Sequence, residues 1–165
     1  MSQSDLVVRL MKLTRIDWAP SHRQPSGARV VIATLVSLLG SLLADAGIVA
    51  IGTRVFPSTK GYVHFHLSDY GKFTVIGVLI ASAAWPLVTR ISSEPRSLFL
   101  RMAILVTLVL WLPDVYILHQ GQSGKAVAIL MTMHLAVALV TYNALVRIAP
   151  CGKAETRQPI TTASS

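Results

Sequence analysis

The chain reads as an all-α, polytopic membrane protein: a bundle of four transmembrane helices preceded by an N-terminal interfacial amphipathic helix. Three observations predict this class, namely scarce charge, four long apolar runs and a lopsided distribution of Lys and Arg. Charged residues make up 13% of the 165 residues and hydrophobic ones 53%, whereas ordinary soluble domains carry about 25% charge. With a mean hydropathy of +0.59, the chain lacks the polar surface needed to face water on every side.

The apolar runs cover residues 30–51, 73–88, 102–118 and 126–146. A hydrocarbon core of ~30 Å takes about 20 mostly apolar helical residues, with a range of ~17 to 25. Helices satisfy their own backbone hydrogen bonds in lipid, and no alternation of the kind that marks a barrel runs through these segments. The expected organisation is therefore a basic segment over residues 1–29, a transmembrane domain over 30–148 and a disordered tail over 149–165. Allowing for helix ends, the spans fall at 30–52, 72–90, 98–118 and 126–148. The first run begins too late and runs too long for the apolar region of a cleaved signal peptide, so it reads as an uncleaved anchor.

Orientation follows from the basic residues. Arg9, Lys12, Arg15, Arg23 and Arg29 precede span one, Arg90, Arg96 and Arg101 lie between spans two and three, and Arg147, Lys153 and Arg157 follow span four. The opposite face holds Arg54, Lys60, Lys72 and Lys125. By the positive-inside rule both termini are cytoplasmic, with the chain in the cell (inner or plasma) membrane. The net charge of +8 is thus an orientation and lipid-surface signal. Scattered basic residues without a binding motif exclude nucleic acid as the partner. Trp85 and Tyr142 near the inner ends, with Trp111 and Tyr116 near the outer end, suit an aromatic belt. Ahead of span one, Leu6, Leu10, Leu13, Met11 and Trp18 gather on one side of a helix and Arg9, Lys12 and Arg15 on another, a pattern suited to an anionic leaflet. The single Cys151 excludes an intramolecular disulfide.

Small residues predict how the spans pack. Ala33, Ser37, Ser41 and Asp45 recur every four residues in span one, flanked by Gly40, Ala44 and Gly47. Span two offers Thr74, Gly77, Ala81 and Ala84. Stripes of this kind let helix backbones approach closely in lipid. The short RISSEPRS link makes spans two and three a tight hairpin, and Pro86 and Pro113 are expected to kink their helices.

Polar residues within the spans are the informative minority. Counted from the outer ends, Asp45 lies roughly 9 Å deep and His134 ~12 Å, with Asp114 about one turn below the surface. An ionised carboxylate inside a membrane costs ~2.5–3.5 kcal/mol at the centre, so such groups face the bundle interior and find partners. His134 is expected to pair with Asp114 or Asp45. The inner halves offer fewer polar groups, Thr74, Thr89, Thr141 and Asn143 being the ones assigned there.

The stretch GYVHFHLSDYGK, residues 61–72, lies in the outer loop above this layer. If residues 63–67 are extended, His64 and His66 point the same way. Together with Asp69 or His119 they offer N and O ligands for one divalent metal such as Zn²⁺ or Cu²⁺. No GxSxG, P-loop, CxxC, HExxH or GxGxxG pattern occurs, and only His134 lies within a span, which disfavours catalysis and haem binding.

In the last two spans, the turn HQGQSGK followed by LMTMHLAVALVTYNAL resembles the end of small four-helix membrane proteins of unknown function common in actinobacteria. The resemblance extends over residues 30–148 in topology and centres on Met133–His134. It implies a fold and a bacterial inner membrane, and no activity. Asp114 in WLPDVY and the HxH loop lie outside it.

Three functions follow as expectations. The preferred one is a non-enzymatic accessory or assembly subunit of a larger membrane complex, or a homo-oligomer, since packing faces suffice for it. The second is a proton- or cation-coupled carrier using Asp45, Asp114 and His134. The third is an extracytoplasmic metal-binding protein using His64, His66 and His119.

Overall fold

The computed structural model describes Val8 and residues 22–152. The amphipathic helix expected before residue 19 falls outside the described residues, apart from Val8, and so does most of the tail. Four helices make up the fold: α1 (Gly27–Val55), α2 (Leu67–Ile91), α3 (Pro95–His119) and α4 (Gly124–Ile148). Among the described residues there is no β-strand, only one antiparallel bridge between Arg23 and Gly152. All four helices are long and apolar enough to cross a membrane, with mean hydropathies of 1.6 to 2.0 over their most apolar stretches. The chain is accordingly a small multi-pass membrane protein.

Each helix runs a few residues past its apolar span because local signals set its ends. The Ser26 hydroxyl accepts from the Arg29 amide and starts α1. Pro95, in the first turn of α3, has no amide hydrogen to leave unsatisfied there. Gly121, with φ +87°, turns the chain between α3 and α4 through a backbone region that side-chain-bearing residues avoid.

Consecutive helices run antiparallel, and α1 packs most extensively on α4. Gly40 faces Val140 and Gly52 faces Ile129, so closely that a Cβ on Gly52 would stand 2.6 Å from Ile129 Cδ1. The stripe Ala33, Ser37, Ser41 and Asp45 is fully buried, with Gly40 and Ala44 half-buried at its edges. The packed face of α2 is instead Thr74, Val78, Ser82, Trp85, Val88 and Thr89. That face corrects the expected role of Gly77, which is exposed with nothing within 4 Å of a Cβ built there. The α2 register turns it outward, while Ala81 and Ala84 sit half-buried at the margin.

The bundle has a loop end, carrying residues 56–66 and 120–123, and a terminal end, where residues 22–26, residues 149–152 and the α2–α3 link meet. At the terminal end Ala33, Trp85, Val88, Phe99, Leu145, Val146 and Ala149 form a closed apolar cluster. Trp85 therefore does not belong to an aromatic belt. It is wholly buried, packs 5.1 Å from the Phe99 ring and donates its indole N–H to the Ala149 carbonyl at 2.9 Å. That carbonyl lies just past the end of α4, where the helix leaves carbonyls unpaired. The segment before α1 closes over the same end. His22 Nε2 and Gln24 Nε2 reach the Thr89 carbonyl at 2.7 and 2.9 Å, and Arg23 exchanges backbone hydrogen bonds with Gly152.

Candidate functional site

Towards the loop end the helix interior becomes polar. Asp45 is completely buried, and its Oδ2 accepts a 2.6 Å hydrogen bond from the Thr74 hydroxyl of α2. Its other oxygen, Oδ1, has no hydrogen-bond partner among the described residues. The antiparallel register of α1 and α2 makes this contact, which moves Thr74 out of the inner half of the membrane-spanning stretch and into the loop-end layer.

Asp114 and His134 meet on the other side of the layer. The imidazole Nδ1 stands 3.2 Å from Asp114 Oδ2 and 3.0 Å from the Leu130 carbonyl one turn back on α4. A carbonyl only accepts, so Nδ1 carries a hydrogen. Asp114 Oδ2 is within ion-pair distance yet off the hydrogen-bond line, and it is left without a hydrogen-bond partner. Asp114 is buried and His134 half-buried. His134 also lies within electrostatic reach of Asp45. The arrangement is thus two carboxylates around one imidazole, contributed by α1, α3 and α4.

Three hydroxyls extend the layer towards the terminal end. Ser37 and Thr107 bond back to the carbonyl four residues earlier, as hydroxyls in membrane helices commonly do. Ser41, Ser82 and Thr141 do not, and their buried oxygens have no hydrogen-bond partner among the described residues. Ser41 and Thr141 share a level, since their neighbours Gly40 and Val140 touch. Ser82 lies two turns beyond Thr74 on α2, ~12 Å along the axis. The column ends at the Trp85 cluster.

The loop over this layer departs from the expected extended form. Val63–Phe65 is a turn of 3-10 helix, in which successive side chains rotate by a third of a turn. His64 and His66 therefore do not share a direction. His64 is exposed and meets the Tyr62 ring edge-on at 5.3 Å, while His66 precedes the first turn of α2, which contains half-buried Asp69. His119 ends α3 and is exposed. Among the described residues no three His, Cys, Asp or Glu side chains form a group able to hold a metal. The divalent site expected at His64, His66, Asp69 and His119 is not assembled.

What the loop does assemble is an aromatic cap. Phe56, Tyr62, Phe65 and Tyr70 pack against Ile129, Leu130 and Met133 of α4. The Tyr62 hydroxyl is buried without a partner, and burial together with the nearby Asp114 charge pushes its pKa up. It remains a protonated phenol, a donor held near carboxylates. Sequence reasoning missed Tyr62, Ser82 and the pairing of Thr74. The one available signal was an aromatic residue beside Gly61 in a loop joining two spans. At the opposite end Cys151 is half-buried, and burial pushes its thiol pKa up more than Arg96 pulls it down.

The chain belongs to a family described as a family of unknown function, DUF6069, whose model matches residues 19–150. No curated protein and no solved structure matches it.

Proposed function

Starting from a family without an assigned activity, we propose that the protein is a non-enzymatic membrane subunit, acting in a larger membrane complex or as a homo-oligomer. The observation that carries this reading is the position of α3. Of its 25 residues only Pro95, Phe99, Thr107 and Asp114 are buried, while Ile104, Leu105, Val106, Leu108, Val109 and Leu112 are exposed around it. Beside α4 it leaves an apolar groove of about 140 Å³, lined by Leu100, Ala103, Trp111, Leu135 and Tyr142 among others. Membrane helices associate through close van der Waals fit, and a concave apolar face favours it. Carriage across the membrane fits less well, because the Trp85 cluster closes the interior at the terminal end.

Purification in mild detergent followed by native mass spectrometry tests the proposal. The expected species is heavier than the 17.8 kDa chain by at least one further protein subunit. Leu108→Trp, which crowds the groove, is expected to dissociate it with helix content unchanged. A monomer accompanied by lipid alone overturns the proposal.

Orientation belongs to the same proposal: both termini are cytoplasmic and the loop over residues 56–66 faces outward, as the Lys and Arg distribution supports. In a Cys151→Ser background, cysteines at exposed Ser58 and Ser123 are expected to react with an impermeant maleimide in intact cells. Labelling only after the cells are opened reverses the orientation.

A further inference from the structure

We propose that Asp45, Asp114 and His134 form a proton-binding site that exchanges with the loop end through Tyr62 and is sealed from the terminal end by Trp85. This goes beyond a packing role, since it gives the interior of the bundle a ligand.

The first argument is the count of charge. With both carboxyls ionised and the imidazole neutral, the layer carries two negative charges inside a membrane-spanning bundle. Among the described residues no Lys or Arg is buried to offset them. Uncompensated charge at such depth is costly. Two protons distributed over the three groups make the layer neutral. One arrangement is an Asp114–His134 ion pair with Asp45 as a neutral acid, and the geometry suits it. Asp114 is the carboxylate at 3.2 Å from the imidazole, while wholly buried Asp45 has a single hydroxyl partner and an oxygen, Oδ1, to carry the hydrogen.

The second argument is access. The groups facing the site are Asp45 from α1, Tyr70 and Thr74 from α2, Asp114 from α3, His134 from α4, and Tyr62 and His64 from the loop. Tyr62 holds an unpartnered donor, Asp114 Oδ2 is an unpartnered acceptor within its electrostatic reach, and exposed His64 lies against the Tyr62 ring. A phenol placed between an exposed loop and a buried carboxylate passes a proton by accepting one on its oxygen as it gives up its own. In the other direction Ser41, Thr141 and Ser82 continue the polar column, but Trp85, Leu145 and Ala33 end it with fully buried apolar surface.

Infrared difference spectroscopy on protein reconstituted in phosphatidylcholine vesicles tests both parts. A protonated-carboxyl stretch is expected near neutral pH, shifted by ¹³C-carboxyl aspartate and abolished in Asp45→Asn. Transfer to D₂O is expected to shift it slowly in Tyr62→Phe, by about a hundredfold relative to the unsubstituted protein, the lower end of what losing a positioned proton-transfer group costs. Leu39→Ala, on the exposed face of α1, leaves that rate unchanged. Should Asp45→Asn not fold, Asp114→Asn serves in its place, since it leaves the band if Asp45 carries the hydrogen. Absence of the band in folded protein overturns the proton site. A band whose exchange ignores Tyr62→Phe overturns access through the loop.

Discussion

Replacing Asp114 by Leu is expected to lower bundle stability by about 2 kcal/mol, and replacing His134 by Leu by a similar amount, while the double replacement costs less than the two together. Removing one partner of a buried pair typically costs ~3–5 kcal/mol, because the survivor is left unmatched where water is scarce. The lower figure applies here because the His134 side chain keeps 31% of its exposure. Its Nδ1 hydrogen also retains the Leu130 carbonyl when Asp114 is gone. The converse is harsher in kind: without His134, Asp114 loses the imidazole that, among the described residues, stands within ion-pair distance of it. A double-mutant cycle followed by helix content in a denaturing-detergent titration is expected to show coupling of about 1 kcal/mol or more. Strict additivity would mean that the 3.2 Å approach contributes nothing.

The depth argument made this pair legible from sequence. Helical rise converts residue number into depth, so Asp45, Asp114 and His134 could all be placed in the outer half of the spans before any fold was known. The α1 stripe was legible for a similar reason, since small residues every four positions mark one face of a helix. Hydropathy alone gave the four helices. Period and depth do not report rotation about the helix axis, however, and that is where α2 escaped. Gly77 looked like a packing residue and Trp85 like an interfacial one, yet the register that aims Thr74 at Asp45 also buries Trp85 and turns Gly77 outward. The loop was illegible because alternation was assumed for a stretch that is a 3-10 turn. That turn separates His64 from His66 and lays Tyr62 over the polar layer. Ser82 escaped because its interest lies in lacking the usual backbone partner, which is a property of packing and not of residue type.

The second large effect is expected at Trp85. Trp85→Ala removes the largest fully buried side chain in the bundle, and buried Trp or Phe truncations cost ~3–5 kcal/mol through lost contacts and the cavity left behind. Part of the cost is polar, since the Ala149 carbonyl loses the indole N–H that it accepts at 2.9 Å. Trp85→Phe separates the two parts. It keeps an aromatic ring against Phe99 and forfeits one hydrogen bond, so about 1 kcal/mol is expected. The two variants also differ in what they do to the interior. With Ala at position 85, the apolar cluster no longer stands intact between the Ser82 and Thr141 hydroxyls and the terminal end. Hydrogen exchange at the buried carboxyl is then expected to proceed from both ends, and Tyr62→Phe should lose its power to slow it. Measuring unfolding and carboxyl exchange on the same two variants distinguishes a cluster that merely holds helices together from one that also seals the site. If Trp85→Ala destabilises the bundle while exchange still depends on Tyr62, the seal lies elsewhere.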